Sequence, residues 1–132
     1  MSDDCTIALS ATTIHTTTRA GVSLVSVAGE IDLTSGGPLR AILSARLGQR
    51  PPVLVVDLTA VVFFGAAGIR ALVTAAAQAR TLGTRMIVVS DHHIVLRSFR
   101  LTGADRDLDV RSTVDLALAS APRTVGLAPT AV

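Results

Sequence analysis

The chain has 132 residues, enough for one domain that buries a core without a disulfide or metal. Its 12 basic and 10 acidic residues nearly balance, at a formal charge of +2, and every basic residue is arginine, so a Walker A lysine, a Schiff-base lysine and a lysine general base are all excluded. Only three aromatics occur, Phe63, Phe64 and Phe99, so the core is aliphatic, and the scattered arginines lack the clustered basic face that nucleic-acid binding needs.

The start, MSDDCTIA, is acidic and has no basic region followed by an apolar stretch, so it does not read as a secretion signal. The single cysteine, Cys5, cannot form a disulfide within the chain, and a reducing, cytoplasmic setting is expected. The apolar run from Val53 to Ile69 is shorter than the ~20 residues of a spanning helix and is interrupted by Asp57 and Thr59, so no membrane association is expected.

Residues Thr6 to Ile14 alternate weakly and predict an edge strand, and HTTTRAG then reads as a polar turn. Val22, Leu24, Val25 and Val27 make a second strand ending at Gly29, antiparallel to the first. Leu39, Ile42, Leu43 and Leu47 form one stripe of a first helix, with Pro38 in its first turn and Gly48 at its end. Val53 to Leu58 is a continuous apolar run, which predicts a buried central strand, closed by a polar turn at Asp57 to Thr59.

In the second helix Ile69, Leu72, Val73, Ala76 and Ala79 are the inward stripe, Arg70, Thr74, Ala77, Gln78 and Thr81 face outward, and Gly83 is the stop. Met86 to Val89 predicts another buried strand. Asp91 is the expected N-cap of a third helix carrying Val95, Leu96 and Phe99 and ending at Gly103. Leu108 to Val110 predicts a short edge strand, Ser112 with Asp115 resembles a capping box for a last short helix, and the tail 121–132, with Pro122, Gly126 and Pro129, is expected to be disordered. The order β-β-α-β-α-β-α-β-α implies a single α/β domain over residues 1–120 with a four- to five-stranded, mostly parallel mixed sheet and about four helices.

No catalytic set emerges. Cys5 has no identifiable base. His92 and His93 are neighbours, about 100° apart on a helix, and do not face one metal. Asp105, Asp107 and Asp109 alternate like the start of a calcium loop, but Val110 stands where glycine is required. Gly65-Ala66-Ala67-Gly68 opens the second helix after two phenylalanines, and with no lysine to hold a nucleotide phosphate, its small residues read as a bare helix start suited to docking or to close helix–sheet packing. No cofactor is expected, and the chain does not read as an enzyme.

Three stretches carry a resemblance. VSVAGEIDLTSGGPLRAIL, PVLVVDLTAVVFFGAAGIRALV and TRMIVVSDHHIVLRSFRLTG together resemble the STAS family across Thr6 to Ala119. The first holds G-E-I-D, the second D-L-T followed by the opening of a helix. Stand-alone bacterial members of that family are anti-anti-sigma factors, so the resemblance implies an anti-sigma factor antagonist whose partner is a kinase-like anti-sigma factor, acting as a monomer or weak dimer. A subunit of a lipid-transport complex or signalling assembly is the other role the fold implies. The implied partner surface is Gly65, Ala66, Ala67, Gly68 and Arg70, with the loop holding Asp32, Thr34 and Ser35. Glu30 and Asp32 can equally satisfy backbone N–H groups at a strand-to-helix turn. The family's D-S-S-G aligns with G-A-A-G, so the serine that a kinase phosphorylates in the family is Ala66, and that switch is absent.

Overall fold

The computed structural model describes residues 4–9 and 11–119. The strands are β1 (Cys5–Ala8), β2 (Thr12–Arg19), β3 (Val22–Ile31), β4 (Val53–Phe64), β5 (Arg85–Val89) and β6 (Val110–Arg111). The helices are α1 (Gly36–Gly48), α2 (Ala66–Leu82), α3 (His93–Thr102) and α4 (Val114–Ala119), with a 3-10 turn at Ala104–Arg106. They build one mixed sheet in the order β1-β2-β3-β4-β5-β6. The first three strands are antiparallel neighbours, and the pairs from β3 to β6 are parallel.

Each crossover advances one place along the sheet, so right-handed connections put successive helices on the same face. The main core follows that rule. Ile14, Val25, Val27, Leu54, Val56 and Val88 of the sheet pack under Leu39, Leu43 and Leu47 of α1, Leu72 and Ala76 of α2, and Val95 and Phe99 of α3. Phe64 and Phe99 meet edge to face at 5.9 Å, which ties the end of β4 to α3. The other face carries a smaller cluster, Val53, Val55, Ile87 and Val89, under Ala117 of α4.

The α/β class, the mixed sheet and the four helices agree with expectation, while the sheet has six strands rather than four or five. The N-terminal stretch is two strands, and the segment expected to be a turn, HTTTR, is the second half of β2, where Thr16 is buried and His15 pairs with Ser26. Threonine satisfies a half-buried pleated surface as well as an apolar residue does. The reversal lies instead at Ala20 and Gly21, both with positive φ.

Further along, β4 does not stop at Asp57. It continues to Phe64 through two register shifts against β3, at Ser26/Ala28 and Gly29/Glu30. The Asp57 carboxylate accepts the Thr59 N–H at 2.9 Å, so the expected polar turn is a bulge inside a continuous strand. Two caps also shift. α3 is capped by His92, whose Nδ1 accepts the Ile94 N–H at 3.3 Å, not by Asp91. Before α4, Thr113 Oγ1 rather than Ser112 accepts the Leu116 N–H, at 3.1 Å. The last strand is Val110–Arg111, because the 3-10 turn carries Leu108 into the main core. The tail 121–132 lies outside the described residues.

Candidate functional site

β3 and β4 run parallel and end side by side, with Ile31 opposite Phe64. The chain leaves β3 into the loop before α1 and leaves β4 into α2, so both helix starts lie at the same end of the sheet.

The G-E-I-D stretch has a backbone explanation. Gly29 has φ +99°, and a Cβ built there would stand 2.1 Å from the Ala11 carbonyl oxygen. That closeness lets the Glu30 N–H donate to Ala11 O at 3.0 Å, while Thr12 Oγ1 donates to Glu30 O. The Glu30 main chain is thus pinned and its side chain is exposed. Asp32 takes the turn-forming role. One carboxylate oxygen accepts the Thr34 N–H at 2.9 Å and the Thr34 hydroxyl at 2.7 Å, and the Asp32 N–H donates to Ser35 Oγ at 2.9 Å. The Thr34 hydroxyl, followed by its N–H, holds the Asp32 carboxyl below the usual aspartate pKa.

A lowered folded pKa adds stability above the unfolded value, which is lost as pH falls through the folded one. Wild type is therefore expected to melt above Asp32→Asn at neutral pH, with the gap closing only once pH drops below about 3.9. Melting curves of both proteins between pH 7 and pH 2.5 check this. A gap that persists unchanged at the acid end would mean that the loop does not depend on the ionised carboxylate.

The start of α2 is locked from two sides. A Cβ at Gly68 would meet Ile31 Cγ2 at 2.5 Å and the Phe64 ring at 2.9 Å, and a Cβ at Gly36 would meet the Ala67 Cβ at 2.6 Å. Glycine at position 68 lets α2 sit down on the sheet, and glycine at position 36 lets α1 touch α2. The Gly65 N–H donates to Ile31 O at 2.9 Å. Gly65 is the N-cap, so no side chain caps the helix and no acidic residue lies in its first turn.

The implied surface is thereby brought together, though not every member is on it. Thr34, Ala66 and Arg70 are exposed, and Asp32, Gly65 and Ala67 are partly so. Ser35, at 1% exposure, and Gly68 lie beneath, and they shape the surface without presenting a side chain. Two apolar side chains are added that the motif reading passed over, Leu33 at 83% exposure and Phe63 at 48%. The Phe63 ring lies 3.3 Å from the Cβ position of Gly65, and the bulge at Gly29/Glu30 gives β4 the extra residue that re-aims it. The double phenylalanine directly ahead of a helix start is a sequence signal that could have marked it.

From Ala66 to Thr74, α2 stands as a ridge between two clefts. One, of about 340 Å³, lies toward the 3-10 turn and is lined by Ala66, Ile69, Val73, Ala104 and Asp107. The other, of about 230 Å³, lies between α1 and α2. Arg70 and Thr74 line both. A small-residue ridge with apolar flanks and a central arginine has the make-up of a protein-docking surface. Among the described residues, no three His, Cys, Asp or Glu side chains gather to hold a metal ion, and no helix is long and apolar enough to cross a membrane.

Comparison with known proteins identifies the family of this fold. The STAS domain profile matches residues 13–117. The anti-sigma-F factor antagonist RsfB of Mycobacterium tuberculosis is 32% identical over 108 residues, covering 80% of this chain and 86% of RsfB. The crystal structure of an anti-sigma factor antagonist from Mycobacterium paratuberculosis superposes with a TM-score of 0.76 at 36% identity, covering 86% of this chain and 97% of that one. The unphosphorylated form of the anti-sigma factor antagonist SpoIIAA shares the fold, at a TM-score of 0.65 and 14% identity over 87% of this chain and 92% of its own. By profile, sequence identity and fold alike, this chain belongs to the STAS domain family.

Proposed function

We propose that this protein is an anti-sigma factor antagonist. It docks the opening of α2 and the Asp32–Thr34 loop on an anti-sigma factor, and so releases the sigma factor that the anti-sigma factor holds. The observation that carries the reading is the α2 ridge, whose first turn is pinned by Gly36 and Gly68 and exposes only small side chains, beside exposed Phe63 and Leu33. Such a surface is preformed, so little ordering entropy opposes docking. Relatives at 32% and 36% identity that carry the antagonist name support the same assignment.

The reading includes a partner with a kinase-like fold, a non-enzymatic role for this chain, and a domain spanning residues 1–120 that works as a monomer or weak dimer. It also includes a missing switch. Ala66 occupies the position of the phosphorylated serine and has no hydroxyl, so association is constitutive with respect to that modification.

The test is calorimetric titration of the protein against each anti-sigma kinase encoded in its own genome, then incubation with ATP and Mg²⁺ and mass spectrometry. Micromolar or tighter binding to one kinase with no phosphate gained is expected. Phosphate on another Ser or Thr would overturn the constitutive reading, and failure of every kinase to bind would overturn the antagonist assignment.

A further inference from the structure

Four arginines of this chain, Arg46, Arg80, Arg85 and Arg111, have work within the fold. Buried Arg46 donates to Ser23 Oγ at 2.8 Å and to Thr17 O at 3.0 Å. Arg85 and Arg111 both pair with Asp109 at 2.9 Å, and Arg80 reaches Asp107 O. Arg40 and Arg70 are not among these, and they share one cleft. Both are exposed, and neither makes a hydrogen bond or ion pair among the described residues. They line the same cleft, Arg40 from α1 and Arg70 from α2, with Gly37, Ala67 and Thr74 between them and no carboxylate in the lining.

The separation of the two helices is set by the contact between Gly36 and Ala67, so the cleft is built before any partner arrives. Neither helix carries an acidic residue in its first turn. The nearby carboxylate, Asp32, is committed to the Thr34 N–H and hydroxyl. Arg40 and Arg70 line one preformed, acid-free cleft, and their guanidinium groups suit the planar, bidentate geometry of carboxylates.

We propose that the α1–α2 cleft receives a carboxylate-bearing segment of the anti-sigma factor, gripped by Arg40 and Arg70. This rests on the antagonist reading and deepens it. The complex is then formed under electrostatic attraction, and ionic strength sets its association rate.

The experiment measures binding kinetics of the intact protein with its anti-sigma factor by surface plasmon resonance at 50, 150 and 500 mM NaCl. Wild type is expected to lose about tenfold or more in affinity across that range, mainly in association rate. Arg40→Glu/Arg70→Glu should bind about 100-fold more weakly at 50 mM NaCl, with the salt dependence abolished. Arg19→Glu/Arg97→Glu makes the same change in net charge outside the cleft and should stay within about threefold of wild type. Arg40→Gln and Arg70→Gln keep the side-chain size and read the same loss, near tenfold each, should the double reversal fail to fold.

Equal losses in the two double variants, or wild-type affinity in the cleft variants, would overturn the cleft and leave the antagonist assignment standing. Absence of any wild-type binding at every salt concentration would instead overturn the antagonist assignment, and the cleft proposal with it.

Discussion

Gly29→Ala is expected to destabilise the domain by about 4 kcal/mol, a large share of the 5–15 kcal/mol typical of a small domain. Two effects add. At φ +99° the backbone lies beyond the left-handed region that alanine tolerates, a strain of about 1–3 kcal/mol. The new methyl would also stand 2.1 Å from the Ala11 carbonyl oxygen, which is backbone and cannot rotate away. To make room, β2 and β3 must part where Glu30 N–H bonds Ala11 O and Thr12 Oγ1 bonds Glu30 O, an overpacking cost of about 1–3 kcal/mol.

Gly83 is the internal comparison. It has φ +76° with nothing within 4 Å of its Cβ position, so Gly83→Ala should cost only about 1 kcal/mol. Urea unfolding of both variants tests the account. A Gly29→Ala protein as stable as Gly83→Ala would show that the β2–β3 contact yields cheaply. Because the same strand end carries Glu30 and the loop to Asp32, a variant that does fold should also weaken partner binding.

The parts of this fold visible in the sequence are those in which one residue type has one physical reason to be there. Continuous Val/Ile/Leu runs at 53–58 and 86–89 mark strands buried on both faces, and both are central here. The 3.6-residue spacing of Ile69, Leu72, Ala76 and Ala79 marks the inner stripe of α2, and all four are buried. What escaped is what depends on partners distant in sequence. Threonines at 16–18 read as turn residues because nothing local shows that β3 pairs with them. Asp57 reads as a strand stop because a bulge requires knowledge of the neighbouring strand's register.

Arg46 falls on the inner side of α1 and is buried, since Ser23 and Thr17, 23 and 29 residues away, accept its protons. The candidate site divides in the same way. Its glycines and Asp32 lie in recognisable motifs. Close helix–sheet packing at Gly68 is one of the two readings open to its motif, but the contact of Gly36 with Ala67, the exposure of Phe63 and the pairing of Arg40 with Arg70 depend on elements distant in sequence, and no window along the chain contains them.

Ala66→Glu should move stability and binding in opposite directions. Position 66 is the first residue of α2 after the Gly65 N-cap, exposed, in a first turn that has no acid. A carboxylate there faces the positive end of the helix and adds about 0.3–1 kcal/mol. It also stands one turn from Arg70, an i, i+4 arrangement worth a further 0.2–0.5 kcal/mol or so. The variant should therefore melt at or above the wild-type temperature.

At the docking surface the same charge is harmful. It adds a carboxylate where the partner meets small side chains, and it draws Arg70 away from the anti-sigma factor. A loss of about 100-fold in affinity, near 2.7 kcal/mol, is expected. Ala66→Gln separates size from charge and should lose less than about tenfold. Thermal unfolding alongside calorimetric titration reads both signs on the same samples. A folded Ala66→Glu protein that binds within threefold of wild type would remove the start of α2 from the docking surface. A variant that loses both stability and binding would show that position 66 is packed against the fold, and that its small side chain serves the helix rather than the partner.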